Sequence, residues 1–229
     1  MKFNFSYTID ALPRLLEGAL ITIEIAVIGF ILSLTIGTLI TVFRTVSQSK
    51  ILNAILAIYI SFIRGTPMLI QIFLVYYALP AIDFLPGPGE LRIDMGPVTA
   101  GIVAITLNSV AFVTEILRGG LAAIHKGQYE AARALGIRDY PLWRKVVLPQ
   151  LFMKTIPPLV NEFTQVLKAT PLLAMITVVE LMRVSQQIFS ANYHPVEVLL
   201  GAFVIYFLIC FVVSRSSILL ERRFAVRRF

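Results

Sequence analysis

Three short patterns set polar and ionisable side chains inside apolar stretches. Arg64, Met68 and Gln71 recur at the spacing of one helical face. Asn108, Ala111 and Glu115 share a second face, with Arg118 one turn further on. Asn161, Gln165 and Lys168 share a third, with Glu162 as its neighbour. Carboxyl, amide and guanidinium groups of this kind hold a small polar solute by hydrogen bonds and charge. They do not assemble into a bond-breaking site. The apolar runs contain no Asp, and serines such as Ser33 and Ser109 have no evident base beside them. There is no HExxH, no GxSxG and no GxxxxGK[ST], so neither a zinc hydrolase, a nucleophile turn nor a nucleotide-binding loop is expected in this chain. No metal site is expected either, because His125 and His194 fall on opposite sides of the span order derived below.

The elements that position these groups follow from hydropathy. Of 229 residues, 58% are hydrophobic and only 14% charged, where a soluble domain carries nearer a quarter. Mean hydropathy is +0.84. The chain reads as an all-α, polytopic membrane protein, a single transmembrane domain over 1–229. A span needs about 20 mostly apolar residues. Residues 1–17, mixed and with Pro13 and Arg14, read as an amphipathic lead-in, without the features of a cleaved signal peptide. Span 1 covers about 18–43, with one charge, Glu24, and a stripe of Gly29, Ser33 and Gly37 suited to close packing. Span 2 covers about 51–79 and is interrupted at Arg64-Gly65-Thr66-Pro67. A Pro- and Gly-rich loop, DFLPGPGELRIDMGP, leads to span 3 at about 98–117. A long polar segment, 118–149, precedes span 4 at about 150–182, which contains Pro157, Pro158 and Pro171. A loop around SQQIFSANYHP then leads to span 5, about 198–214, and a basic tail.

Five spans put the termini on opposite sides. Of 20 Lys and Arg, 14 lie in the span 1–2 connector, the stretch from Arg118 to Lys154 and the tail, all on one side of this topology. The positive-inside rule then predicts an external N-terminus and a cytoplasmic C-terminus. The net charge of +7 is accounted for by these flanks rather than by nucleic acid. The lone cysteine, Cys210, excludes an intrachain disulfide.

Each buried polar group has a structural reading beside the functional one. Glu115 pairs with Arg118, or lines a pathway. Arg64 is a counter-ion for a buried carboxylate, or a contact for solute. Lys168 snorkels to an interface, and Asn108, Asn161 and Gln165 tie helices together, or they face a solute. The cluster as a whole, beside proline and glycine breaks, points to a substrate pathway, because irregular backbone survives in a bilayer only where it is buried or lines a cavity. Glu24 stands alone and reads as structural. The rival reading is a non-transporting scaffold or receptor-like subunit.

The polar segment holds two short helices. The first, Gln128 to Gly136, ends on glycine; the second is expected to be capped by Asp139, with Pro141 in its first turn, before Leu148-Pro149 opens span 4. On physical grounds this is an interfacial hairpin or a docking element. Its pattern resembles the EAA loop of permease subunits of bacterial ABC importers: Glu130-Ala131-Ala132, three residues, Gly136, nine residues, Val146 (where isoleucine is commoner), one residue, Leu148-Pro149. FIRGTPMLIQIFLVYYALP, AFVTEILRGGLAAIHKGQYEAARALG and IPPLVNEFTQVLKATPL are similar to spans 2, 3 and 4 of the polar amino-acid permeases of that superfamily, with Ala169 and Pro171 at variable places. The resemblance covers nearly the whole chain.

The resemblance implies a type I ABC importer permease in a bacterial cytoplasmic membrane, paired with a second copy or homologue. An ABC nucleotide-binding subunit would receive the face formed by Glu130, Ala131, Ala132, Leu135 and Gly136, with Leu148 and Pro149 behind it. ATP and magnesium would belong to that partner, leaving no cofactor in this chain. An extracytoplasmic binding protein would deliver an amino acid. The residues expected to meet it are Arg64, Met68, Gln71, Asn108, Glu115, Asn161, Glu162 and Gln165. The carboxylate of Glu162 favours a cationic amino acid (arginine, lysine or histidine), with glutamine as the alternative.

Overall fold

The computed structural model describes residues 4–47, 49–81 and 95–225, with side chains described as far as residue 216. Most of the expected Pro/Gly-rich loop, Lys2 and the end of the basic tail lie outside these residues. All regular structure among them is helical.

Helix α1, Ser6–Val46, is 41 residues long, about 60 Å. The amphipathic lead-in and span 1 are therefore one helix. Pro13 sits inside it and removes one hydrogen bond. The apolar face nonetheless runs on unbroken, because Ala11, Leu15 and Ala19 are buried against later helices. Gly29 and Gly37 form the closest approach to α4 (Pro97–Ala122): a Cβ at Gly29 would lie 2.8 Å from Ile105 Cγ2, and one at Gly37 2.7 Å from Val113 Cγ1. Between them, Ser33 Oγ donates to the carbonyls of Gly29 (2.6 Å) and Thr106 (3.3 Å). The small-residue stripe is thus the α1–α4 seam.

The interrupted span 2 is two helices. Helix α2, Lys50–Gly65, and α3, Met68–Phe73, continued by tightened and widened turns to Ala81, meet at 111°. Pro67 forces the preceding Thr66 into extended backbone (φ −118, ψ 147) and opens α3. Widened, π-type turns occur at Leu74–Ala78 and Trp143–Val147, each just ahead of a proline, Pro80 and Pro149. A proline ring clashes with the carbonyl four residues back and supplies no N–H. A turn with longer hydrogen-bonded spacing relieves both demands.

After α4 come α5 (Lys126–Ala134) and α6 (Asp139–Leu142), and α6 continues through the widened turn into α7 (Leu148–Ala169). Span 4 does not run straight to Met182. It tightens at Thr170–Ile176, turns at Thr177 in left-handed backbone (φ 66), and gives way to α8, Leu181–Asn192, bent by 50°. The segment expected as a loop around SQQIFSANYHP is thus mostly helix, because Leu181, Val184, Ser185 and Ile188 present one buried face to α1 and α9. Helix α9 runs Pro195–Ala225, longer than the apolar stretch alone.

The core lies where α1, α3, α4 and α7 converge on Ile25, Ile72, Ile105, Leu167 and Leu173. Among the described residues, three helices are long and apolar enough to cross a membrane, or up to five spans if each bent pair counts as one. Gly29→Val should lower the thermal stability of the detergent-solubilised protein by about 1–3 kcal/mol, since neither Ile105 nor the helix backbone can yield. Gly119→Ala, which meets nothing within 4 Å, should be neutral or slightly stabilising in the same melt.

Candidate functional site

The break between α2 and α3 leaves carbonyls without helical partners. Gln71 supplies them: its Nε2 donates to the carbonyl of Ile63 (2.8 Å), the carbonyl of Thr66 (3.1 Å) and Thr66 Oγ1 (2.8 Å). Its Oε1 accepts from Asn108 Nδ2 at 2.9 Å. Gln71 is buried, so its role is to close the backbone turn and pass one hydrogen bond to α4.

Beside this junction, α3, α4 and α7 enclose a cavity of about 200 Å³. Met68, Ile105, Asn108 and Phe112 form one wall; Glu162 and Gln165 face them. Glu162 is buried and accepts from Ser109 Oγ at 2.8 Å. Its second carboxylate oxygen makes no hydrogen bond to any described residue. The cavity is apolar, with one carboxylate and two amides, an arrangement that orients a small polar solute.

The expected polar faces converge only in part. Met68, Asn108, Glu162 and Gln165 line this cavity, and Gln71 braces it. Asn161 is exposed on α7, on the face shared with Gln165 and Lys168, while Glu162 turns inward. Lys168 borders an open groove of about 490 Å³ with Tyr206 and Cys210. Glu115 lies elsewhere. Both its oxygens accept from Arg118 (2.7–3.0 Å), and Arg44 Nη1 is 3.7 Å away. Arg64 shares a separate space of about 190 Å³ with Glu115 and Arg44. Arg64 approaches the first cavity only through Phe112, over whose ring its guanidinium sits at 5.5 Å.

Two functional-looking groups escaped sequence reasoning. Phe112 follows Asn108 by one helical turn, a spacing that could have drawn notice. Glu180 is fully buried, caps α8 by accepting from the N–H groups of Met182 (2.9 Å) and Arg183 (2.8 Å), and accepts from Tyr206 Oη at 2.7 Å. A carboxylate just ahead of an amphipathic run was its only signal.

At the end of the molecule that carries the polar segment, α5 closes with a Schellman turn. Gly136 is left-handed (φ 68), its N–H donates to the carbonyl of Arg133, and the N–H of Ile137 donates to that of Ala132. Asp139 is the first residue of α6 rather than its cap: Arg138 holds the cap position, and Asp139 makes no capping bond but places its charge in the first turn. Ala132 is turned inward, packed with Ile124, Leu142, Val147 and Leu151. This seats α5 on the base of α7 and leaves Glu130, Ala131, Leu135 and Tyr140 facing out. Leu135 is 77% exposed and Tyr140 71%. Leu148 and Pro149, also exposed, begin α7 itself.

A helical membrane domain with a braced break, a small apolar cavity carrying a few polar groups and an outward-facing helical hairpin suits a transport permease. Residues 33–226 match the family of binding-protein-dependent transport system inner membrane components, and the chain belongs to that family. It is 38% identical over 226 residues to the glutamine transport system permease GlnP of Escherichia coli (strain K12), covering 99% of this chain and all of that one. It is 34% identical over 223 residues to the arginine transport system permease ArtQ of Bacillus subtilis (strain 168), covering 97% and 98%. Among solved structures, an amino acid ABC transporter with histidines superposes with a TM-score of 0.87 at 30% identity, over 97% of this chain and all of that one. The chain is a polar amino-acid ABC permease of the type I fold and an inner-membrane protein. It is a transport subunit; ATP hydrolysis belongs to a partner ATPase.

Gln71→Leu keeps the volume of the side chain but strands the carbonyls of Ile63 and Thr66. It should destabilise the purified protein by about 1–3 kcal/mol per orphaned buried group, read as a lowered melting temperature.

Proposed function

We propose that the chain imports a polar, cationic amino acid (arginine, lysine or histidine), bound in the cavity between α3, α4 and α7. The observation that carries this is the unpaired oxygen of Glu162, held beside Gln165 in an apolar pocket across from Asn108. A buried carboxylate without a counter-charge is costly, and a cationic side chain entering the cavity would offset that cost. The nearby arginine permease and the solved transporter with histidines support the same class. Glutamine is the second reading. The amide pair Gln71–Asn108 and the likeness to a glutamine permease favour it.

Of the other residues expected at this site, Met68 and Gln165 form its walls. Arg64, Glu115 and Asn161 lie outside it. The whole chain, 1–229, is one five-span domain in this reading, with the N-terminus outside and the polar segment and C-terminus in the cytoplasm. An extracytoplasmic binding protein delivers the amino acid, and ATP with magnesium is bound by the partner. That partner grips Glu130, Ala131 and Leu135, with Gly136 holding the turn. Because α6 runs unbroken into α7, movement of the gripped hairpin displaces the helix that carries Glu162. A non-transporting scaffold would have no use for such a connection.

Binding of labelled arginine, lysine, histidine, glutamine and glutamate to the purified permease–ATPase complex, without binding protein, tests the substrate class. Binding should be confined to the cationic members, and Glu162→Gln should weaken it by about tenfold or more. Unchanged arginine binding in Glu162→Gln would defeat the charge argument. Exclusive glutamine binding would establish the second reading. For the coupling surface, Gly136→Val places a β-branched residue in left-handed backbone at about 1–2 kcal/mol or more. It should reduce co-purification of the ATPase while amino-acid binding persists.

A further inference from the structure

The surface of α4 that faces the substrate cavity continues past it. Ile105, Asn108, Phe112, Glu115 and Arg118 follow one another every three or four residues, a single stripe along the helix. Three spaces lie along that stripe. The first is the cavity of about 200 Å³ described above, with Asn108 and Phe112 in its wall. The second, about 190 Å³, is bounded by Arg44, Ser61, Arg64 and Glu115. The third, about 390 Å³, is bounded by Arg44, Asn53, Thr114 and Arg118, at the end of the molecule bearing the polar segment.

The partitions between these spaces are specific pairs. Phe112 belongs to the first space and Arg64 to the second, and the two are stacked as a cation–π pair at 5.5 Å. Glu115 belongs to the second and Arg118 to the third, and they form a bidentate ion pair. Arg44 borders both the second and the third; its Nη1 is shut off from water, makes no hydrogen bond to a described residue, and stands 3.7 Å from Glu115. Both partitions are side-chain pairs rather than backbone. A rotamer change opens either one, and a cation–π contact of this kind is worth only about 0.5–2 kcal/mol.

We propose that the middle space is a second station for the amino acid on its way out, holding it by its backbone charges rather than by its side chain. Resting on the amino-acid transport reading, it extends that reading from the selective cavity to the release route. Arg64 and Arg44 carry two positive charges toward this space, and Glu115 one negative charge. A free amino acid brings the complement, an α-carboxylate for the arginines and an α-ammonium for Glu115. The amino acid's carboxylate replaces the ring of Phe112 on Arg64, and its ammonium competes with Arg118 for Glu115. Each partition thus opens by exchange of partners, without leaving a buried charge bare. A station of this chemistry does not discriminate among side chains. Selection belongs to the first cavity and passage to the second.

Equilibrium binding of labelled arginine and of labelled glutamine to the permease–ATPase complex in lipid nanodiscs, carried to millimolar amino acid, tests this. Two classes of site per permease chain are expected, the weaker one shared by both amino acids. Arg64→Met and Glu115→Gln should each weaken the second class by about tenfold or more while sparing the first. Arg64→Lys, which keeps the charge and is the gentler change, should retain it. Asn108→Ala combined with Glu162→Gln should remove the first class and leave the second. A single class in the native complex, or a weak class indifferent to both Arg64→Met and Glu115→Gln, would overturn the second station while leaving the first cavity intact. A weak class that depends on Arg64 and Glu115, beside a strong class indifferent to Asn108 and Glu162, would instead remove the proposed substrate cavity and keep the station.

Discussion

Every backbone polar group in hydrocarbon needs a partner inside the protein. The architecture turns on the place where that demand is hardest to meet. At Gly65–Pro67 the chain bends by 111° between α2 and α3, and the carbonyls of Ile63 and Thr66 lose their helical donors. One amide, that of Gln71, serves both and passes its own oxygen to Asn108 on α4. The break therefore does not loosen the bundle; it is fastened to its central helix. Because α3 leaves at a steep angle, Met68 comes to face α7, and the space between them is the cavity.

The same economy governs the charges. Glu115 lies on the stripe of α4 beyond the cavity, paired with Arg118 and with Arg44 and Arg64 beside it, so its single negative charge is more than balanced. Glu162, deeper, has only the Ser109 hydroxyl. Glu180 is buried as completely but satisfied fully, by two backbone N–H groups and Tyr206. Three intramembrane carboxylates thus differ in what their surroundings leave undone: nothing at Glu180, one charge balance at Glu115, and an open oxygen at Glu162.

Mechanical continuity joins that carboxylate to the surface. The hairpin of α5 and α6 is seated through Ala132 on Leu142, Val147 and Leu151, and α6 becomes α7 by way of a widened turn that accommodates Pro149. The outward face of the hairpin and the inward face of Glu162 belong to one helical path. Inward burial of Ala132 leaves Glu130, Ala131, Leu135 and Tyr140 on the outward face of the hairpin.

Much was determined by sequence alone. Apolar runs of this length and number read as membrane helices, Gly29, Ser33 and Gly37 on one face suit a close neighbour, and the Gly65–Pro67 break and the stop at Gly136 follow from local sterics. The spaced pattern from Glu130 to Pro149 likewise named the family before any contact was known. Only the tertiary structure decided which polar residues meet. Helical periodicity places Asn161 beside Gln165 but cannot say that, of these two exposed residues, only the second borders the cavity. It pairs Arg64 with Met68 by face, yet a 111° bend separates them into two spaces. It joined Pro13 to a lead-in and left α8 as a loop, because the faces that hold those segments in helices are buried by residues over 150 positions away, such as Leu181 against Gly18. Spacing along a helix is local and readable. The direction in which a face points depends on crossing angles and breaks, which are settled by packing between distant parts of the chain.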